Sequence, residues 1–153
     1  MSEKMRGALF NVLGDISGLT IFDAYAGSGA IGLEAISRDA QSVLFCDTDR
    51  WAVKTITNNV KSLRVGNLVR IINVNSSVYI EEHPELFDIV ICDPPYDIVK
   101  SSQLVILSNG VKPEGLYVLS LPPSYQDLSF EGFELLLRKT YGDSVLLFFR
   151  KQK

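Results

Sequence analysis

Four short apolar runs, three of them closing on or just before a carboxylate, recur through this chain and limit what it can fold into. They are 19–23, 42–47, 68–74 and 87–92. Each is too short for a stable helix and too continuously apolar for a strand with one wet face. Such runs read as strands buried on both sides, the kind found in parallel sheets. Between them the spacing turns helical: 30–37 carries Ile31, Leu33, Ala35 and Ile36, and 50–63 closes at Gly66-Asn67. Strand–helix alternation repeated this often predicts an α/β fold, a doubly wound and mostly parallel sheet with helices on both faces.

The remaining segments fit around that sheet. Met5, Ala8, Leu9, Val12 and Leu13 recur at helical spacing after a capping Ser2, and Gly14 stops the helix. A short helix is expected over 76–82 and a longer one over 98–109, stopped by Gly110. A fifth strand over 115–121 ends at Pro122-Pro123. The alternating stretches 133–140 and 144–151 predict a C-terminal antiparallel hairpin turned at Gly142-Asp143. The whole reads as one domain, 1–153, with an opening helix (1–14), strand–helix units (19–121) and the hairpin (133–151).

Composition narrows the function classes. No apolar run approaches the ~18 residues of a membrane span, and the charged opening Met1-Ser2-Glu3-Lys4 lacks the form of a signal peptide. A cytoplasmic monomer is expected. Cys46 and Cys92 lie within apolar runs and read as reduced core thiols. With one histidine, His83, beside Pro84 in an acidic loop, no metal site is expected. The formal charge is −3, and Arg138, Lys139, Arg150, Lys151 and Lys153 gather near the C-terminus. A nucleic-acid partner would therefore be gripped weakly or locally.

Ligands of parallel sheets bind beyond the C-terminal strand ends, where strand order reverses. Asp23, Asp47, Asn75 and Asp93 all fall at such ends. Gly27-Ser28-Gly29-Ala30-Ile31-Gly32 matches G-x-G-x-x-G, and Asp47 follows Gly27 by 20 residues, the spacing of a dinucleotide fingerprint. A carboxylate at Asp23, ahead of Ala24-Tyr25-Ala26, suits a cationic amino-acid moiety better than a pyrophosphate. Simpler roles stand beside these: Asp47 and Asp49 as caps of the following helix, Asp23 and Asn75 as turn residues. In Asp93-Pro94-Pro95-Tyr96 two prolines make a stiff corner, with a carboxylate before it and a phenol ring after it. Such a corner suits a flat, amine-bearing group.

The stretch Asp23-Ala24-Tyr25-Ala26-Gly27-Ser28-Gly29-Ala30-Ile31-Gly32-Leu33-Glu34-Ala35, combined with Asp93-Pro94-Pro95-Tyr96, resembles S-adenosylmethionine-dependent methyltransferases. With the opening Ser2-Glu3-Lys4-Met5-Arg6-Gly7-Ala8-Leu9-Phe10-Asn11 and the closing Lys139-Thr140-Tyr141-Gly142-Asp143, it is similar to the RsmD-like family. That family methylates the exocyclic amine of a guanine in small-subunit ribosomal RNA, and its members carry a basic segment before the entry helix.

The resemblance implies a Rossmann-like methyltransferase fold with S-adenosyl-L-methionine as cofactor. Asp23 and the Gly27-Ser28-Gly29 backbone would hold its methionine part, Asp47 its ribose, and Asn75 and Ser76 its adenine, with Tyr25 and Thr48 also among the cofactor-binding residues. Asp93, Pro94, Pro95 and Tyr96 would form the catalytic corner. The implied partner is ribosomal RNA or the small ribosomal subunit. Other amines keep the same chemistry open: adenine or cytosine in DNA, or a glutamine amide in a protein. Two readings outside that chemistry also stand: a cofactor-binding protein without transfer activity and, more distantly, a nicotinamide-binding oxidoreductase.

Overall fold

The computed structural model describes residues 1–153, which form one seven-stranded sheet and five α-helices. In chain order these are α1 (Glu3–Leu13), β1 (Thr20–Asp23), α2 (Ala30–Ser37), β2 (Ser42–Cys46), α3 (Arg50–Leu63) and β3 (Val69–Ile72). Then come α4 (Ser76–Glu82), β4 (Phe87–Cys92), α5 (Ser101–Ser108), β5 (Val111–Leu121), β6 (Phe133–Tyr141) and β7 (Ser144–Lys151). The strand order is β3-β2-β1-β4-β5-β7-β6. The first five strands are parallel, and β7 runs antiparallel to both β5 and β6. The doubly wound sheet and its antiparallel end are those read from the sequence.

Period-two alternation sorts the strand residues into two cores. Ile21, Val43, Phe45, Ile89, Ile91, Val118, Leu146 and Phe148 face α1, α2 and α3. Phe22, Leu44, Cys46, Val90, Cys92, Tyr117, Leu119 and Leu147 face α4 and α5. The central strands β1, β2 and β4 are covered on both faces and are accordingly almost continuously apolar. Cys46 and Cys92 are buried, unpaired thiols on strands separated by β1.

Three elements differ from expectation by more than one residue at an end. β5 begins at Val111, four residues early: Pro113 is accommodated in an irregular stretch where Phe87 pairs with Val111 but Ile89 pairs with Leu116. Extra residues on one strand are where a sheet tolerates proline. α5 begins at Ser101 because Lys100 is extended, with φ −123° and ψ 132°. β3 is trimmed to Val69–Ile72.

Helix caps explain the boundaries that agree. Ser2 Oγ accepts the Met5 amide, and Asp49 Oδ1 accepts the Trp51 amide. Arg64 closes α3 in the left-handed region at φ 58°. The chain leaves β1 toward β2 on one side, while β4 lies on the other. That divergence opens a crevice at the C-terminal ends of β1 and β4, the place a parallel sheet offers a ligand.

Candidate active site

The loop from β1 to α2 is shaped by its glycines. Gly27 and Gly29 have φ of 56° and 85°, a conformation that residues with a Cβ rarely adopt. Nothing lies within 4 Å of where a Gly27 Cβ would be, so its backbone is open to the crevice. Gly32 is tight instead: a Cβ there would stand 2.3 Å from Phe45 Cε1 and 2.8 Å from Val43 Cγ1. The first glycine thus exposes backbone to the crevice, and the last lets α2 press on β2.

Asp47, just after β2, holds the loop in place. Its Oδ2 accepts the Gly27 amide at 2.8 Å and its Oδ1 the Asp49 amide at 2.9 Å. It does not cap α3; Asp49 does that. A carboxylate has room for about four such bonds, so Asp47 keeps acceptor capacity toward the crevice.

Asp23 sits elsewhere than expected. Two residues after Ile21, it shares that residue's face and so lies on the α2 side of the sheet, 1% exposed, behind the crevice wall. Its Oδ2 accepts the Gly32 amide at 3.2 Å, serving the first turn of a helix whose N-cap, Gly29, has no side chain. Oδ1 has no partner. Burial pushes its carboxyl up to about 7; the Gly32 bond opposes this, and the Asp93 and Asp47 charges add to it. Gly29 is likewise buried behind the wall, facing Ile56 and Phe45.

At the third strand end, the sequence offers Asn75 as an acceptor for an adenine amine. Its Oδ1 instead accepts from the Ser77 amide (2.9 Å), the Ser77 hydroxyl (2.6 Å) and the Val78 amide (3.3 Å), capping α4. The side-chain amide keeps its two donors. Ser76 Oγ is buried without a partner beside it. Burial pushes the Tyr25 phenol up to about 12, so it remains a neutral hydroxyl.

The proline corner leaves β4 as its sequence requires. Pro94 is buried and Pro95 exposed. The Asp93 side chain is 15% exposed, and its Oδ2 lies 2.9 Å from the nitrogen of Met1. Tyr96 is 36% exposed, yet its hydroxyl is fixed 2.9 Å from both Ser120 Oγ on β5 and Ser144 Oγ on β7. A ring anchored at its far end and open on its side is a stacking platform.

These parts share one cavity of about 1240 Å³. Tyr25, Gly27, Ser28, Asp47, Thr48, Asn75, Ser76, Asp93, Pro94, Pro95 and Tyr96 line it; Asp23 and Gly29 do not. Single-ligand pockets run to roughly 1,000 Å³, so this one has room for a cofactor and a second ligand. Sequence reasoning missed Lys4, Arg6, Lys100 and Tyr141 in its wall. Tyr141 carried a signal, its place beside the Gly142-Asp143 turn; its hydroxyl is buried without a partner. No group of three or more His, Cys, Asp or Glu side chains is gathered for a metal, and no helix is long and apolar enough to cross a membrane.

The family model described as Conserved hypothetical protein 95 matches residues 1–150. The chain belongs to this family, the RsmD-like methyltransferases. Among relatives, ribosomal RNA small subunit methyltransferase D of Haemophilus influenzae is 28% identical over 147 residues, covering 92% of this chain and 76% of that protein. The protein of the same name from Escherichia coli strain K12 is 34% identical over 96 residues, 62% of this chain and 48% of that protein, about half its length. Among solved structures, an Escherichia coli protein assigned as a methyltransferase superposes with a TM-score of 0.91 at 25% identity, covering 99% of this chain and 88% of that one. A ribosomal protein L11 methylase from Lactobacillus delbrueckii, at 15% identity and a TM-score of 0.78, shares the fold. The RsmD-like family thus accounts for the entry helix and C-terminal hairpin as well as the glycine loop.

Proposed function

We propose that this protein transfers a methyl group from S-adenosylmethionine to the exocyclic N2 amine of a guanine in small-subunit ribosomal RNA. The observation that carries the reading is Asp93. Its carboxylate stands at a proline corner in the cavity wall, partly exposed and beside the Tyr96 ring, with oxygens available to accept from a substrate amine. The names of the Haemophilus influenzae and Escherichia coli relatives support the substrate class.

The residues present fit the cofactor. Open backbone at Gly27 and spare acceptor capacity on Asp47 line the same elongated cavity as Ser76 and Tyr25. Asp47 takes the ribose hydroxyls, and the Gly27-Ser28 backbone with Tyr25 and Thr48 flanks the rest. The free amide donors of Asn75 suit an adenine ring nitrogen better than its amine. Asp23 acts from behind the loop, holding α2 and lending negative field to a cationic amino group. The cofactor, when bound, supplies a methyl group already activated on a sulfonium.

What remains for the protein is alignment, which supplies up to about 7–11 kcal/mol of barrier in favourable cases. An aryl amine is a poor nucleophile because its lone pair is delocalised into the ring. Asp93 and the Pro94 carbonyl accept its two N–H bonds and favour the pyramidal form that attacks. Tyr96 stacks on the base, a contact worth about 1–3 kcal/mol. Attack by the amine lone pair would form the N–C bond as the methyl–sulfur bond breaks, its electrons leaving with sulfur as a neutral thioether, and the nitrogen then sheds one proton through Asp93 Oδ2 to solvent. A guanine within folded RNA must be turned out to reach this corner.

The test uses methyl-labelled S-adenosylmethionine and small ribosomal subunits lacking their own guanine-amine methylation. Label on one guanine with the wild type, absent with Asp93→Ala while cofactor binding persists, is the expected result. Equal transfer by the variant refutes the role of Asp93. Label that enters only DNA or a protein amide refutes the substrate.

A further inference from the structure

The C-terminal cations that the sequence offers as a basic patch are largely engaged. Arg138 pairs with Asp127, Lys153 with Glu114, and Arg150 and Lys151 donate to the carbonyls of Glu114 and Val111. A different set is free. From Arg50 to Arg64 the chain carries four cations and no acid, whereas the rest has 11 Lys and Arg against 18 Asp and Glu, a balance of −7. A single helix therefore holds the molecule's strongest positive charge.

Arg50, Lys54 and Lys61 fall at i, i+4 and i+11 on α3, one stripe of its outer surface, extended by Arg64 at the C-cap. All four are exposed. None has a carboxylate at ion-pair distance, although six of the chain's 15 Lys and Arg do. At 1.5 Å per residue the stripe from Arg50 to Lys61 runs about 16 Å, long enough to meet several successive phosphates.

Trp51, the only tryptophan, is 69% exposed beside the stripe, with Lys54 Nζ 5.4 Å from its ring centroid. An exposed indole among unpaired cations is the combination that holds single-stranded nucleic acid, by stacking and by phosphate neutralisation. The stripe also begins two residues after Thr48, in the cavity wall.

We infer that the outer face of α3 is an RNA-docking surface, with Arg50, Lys54, Lys61 and Arg64 on phosphates and Trp51 stacked on an unpaired base. This rests on the ribosomal RNA reading of the active site and adds where the substrate is gripped outside it. It resolves how a chain of charge −3 holds a polyanion: the grip is confined to one helix and the cavity mouth.

The single tryptophan makes the docking directly observable. Deproteinised small-subunit ribosomal RNA is titrated into the wild type and into Lys54→Gln/Lys61→Gln, whose replacements keep similar helix propensity. Expected are quenching of Trp51 fluorescence in the wild type and weaker RNA binding by the variant. The slope of log affinity against log salt should shrink in the variant by about 1.4, roughly 0.7 for each single-strand phosphate no longer neutralised. S-adenosylmethionine binding should be unchanged. Identical affinity, slope and quenching in the two proteins overturn the surface; if both still methylate RNA, the active-site reading stands. If intact subunits quench Trp51 and naked RNA does not, the partner is ribosomal protein and the inference fails. If the wild type labels no RNA under any condition, the active-site reading falls and takes this surface with it.

Discussion

Asp47 and Gly27, 20 residues apart in sequence, meet through a 2.8 Å hydrogen bond from the Gly27 amide to the Asp47 carboxylate. The end of β2 thereby sets the shape of the loop that leaves β1. One side chain fixes the loop and keeps lone pairs toward the cavity, so the order of the loop and affinity for a ligand there would be coupled through it.

Removing that carboxylate should loosen both. Asp47→Ala is expected to weaken S-adenosylmethionine binding by roughly ten- to a hundredfold, the range of a charged hydrogen bond of about 1.5–3 kcal/mol. Titration calorimetry measures it. Affinity within twofold of wild type would leave Asp47 as a turn residue only.

Tyr96→Phe keeps the ring and removes its anchor. Ser120 and Ser144 are 1% and 9% exposed, and each loses its bond to the phenol. Leaving them unpartnered should cost about 1–3 kcal/mol of stability by urea titration. KM for RNA should rise while cofactor affinity holds. A variant with wild-type KM would show that the ring needs no anchoring.

Asp23 predicts a pH dependence of stability. Its carboxyl is raised by burial from about 3.8 to about 7 in the folded protein, so the folded state binds more protons than the unfolded state between those values. Stability must then fall as pH rises from about 4 to about 7, by about 4 kcal/mol at most. Asp23→Asn removes the titration while leaving an oxygen for the Gly32 amide. Its urea midpoint should vary less across that window and exceed wild type at pH 8 in the absence of cofactor. Parallel pH profiles for the two proteins would count against a buried, raised carboxyl.

Gly32→Ala tests the packing of α2 on β2. A Cβ placed 2.3 Å from the Phe45 ring forces helix or ring to shift, at a cost of about 1–3 kcal/mol. Gly7→Ala, in α1 with nothing within 4 Å, is the control and should be neutral or slightly stabilising. Equal urea midpoints for the two variants would refute the close-packing role.

The architecture was legible because its signals are local. Asp49 and Asn75 mark the starts of α3 and α4 through their side chains, and the residues after Cys92 end β4 by proline stereochemistry. What escaped depends on neighbours distant in the chain. Pro113 suggests a strand break, yet pairing with β4 keeps it within β5. An acid closing a strand reads the same whether it faces a cavity or hides behind it; being in phase with Ile21 held the answer for Asp23. The oxygen of Asn75 could be spoken for only once α4 was seen to start on it. The charge of α3 lay in plain view, but scattered at helical intervals it does not look like a cluster.

β7 lies between β5 and β6, so the strand made after all the others fills an interior place in the sheet. It also carries Ser144, one of the two hydroxyls that hold Tyr96. The brace on Tyr96 therefore belongs to a strand paired on both sides, and a change that loosens the hairpin should reach the proline corner through Ser144.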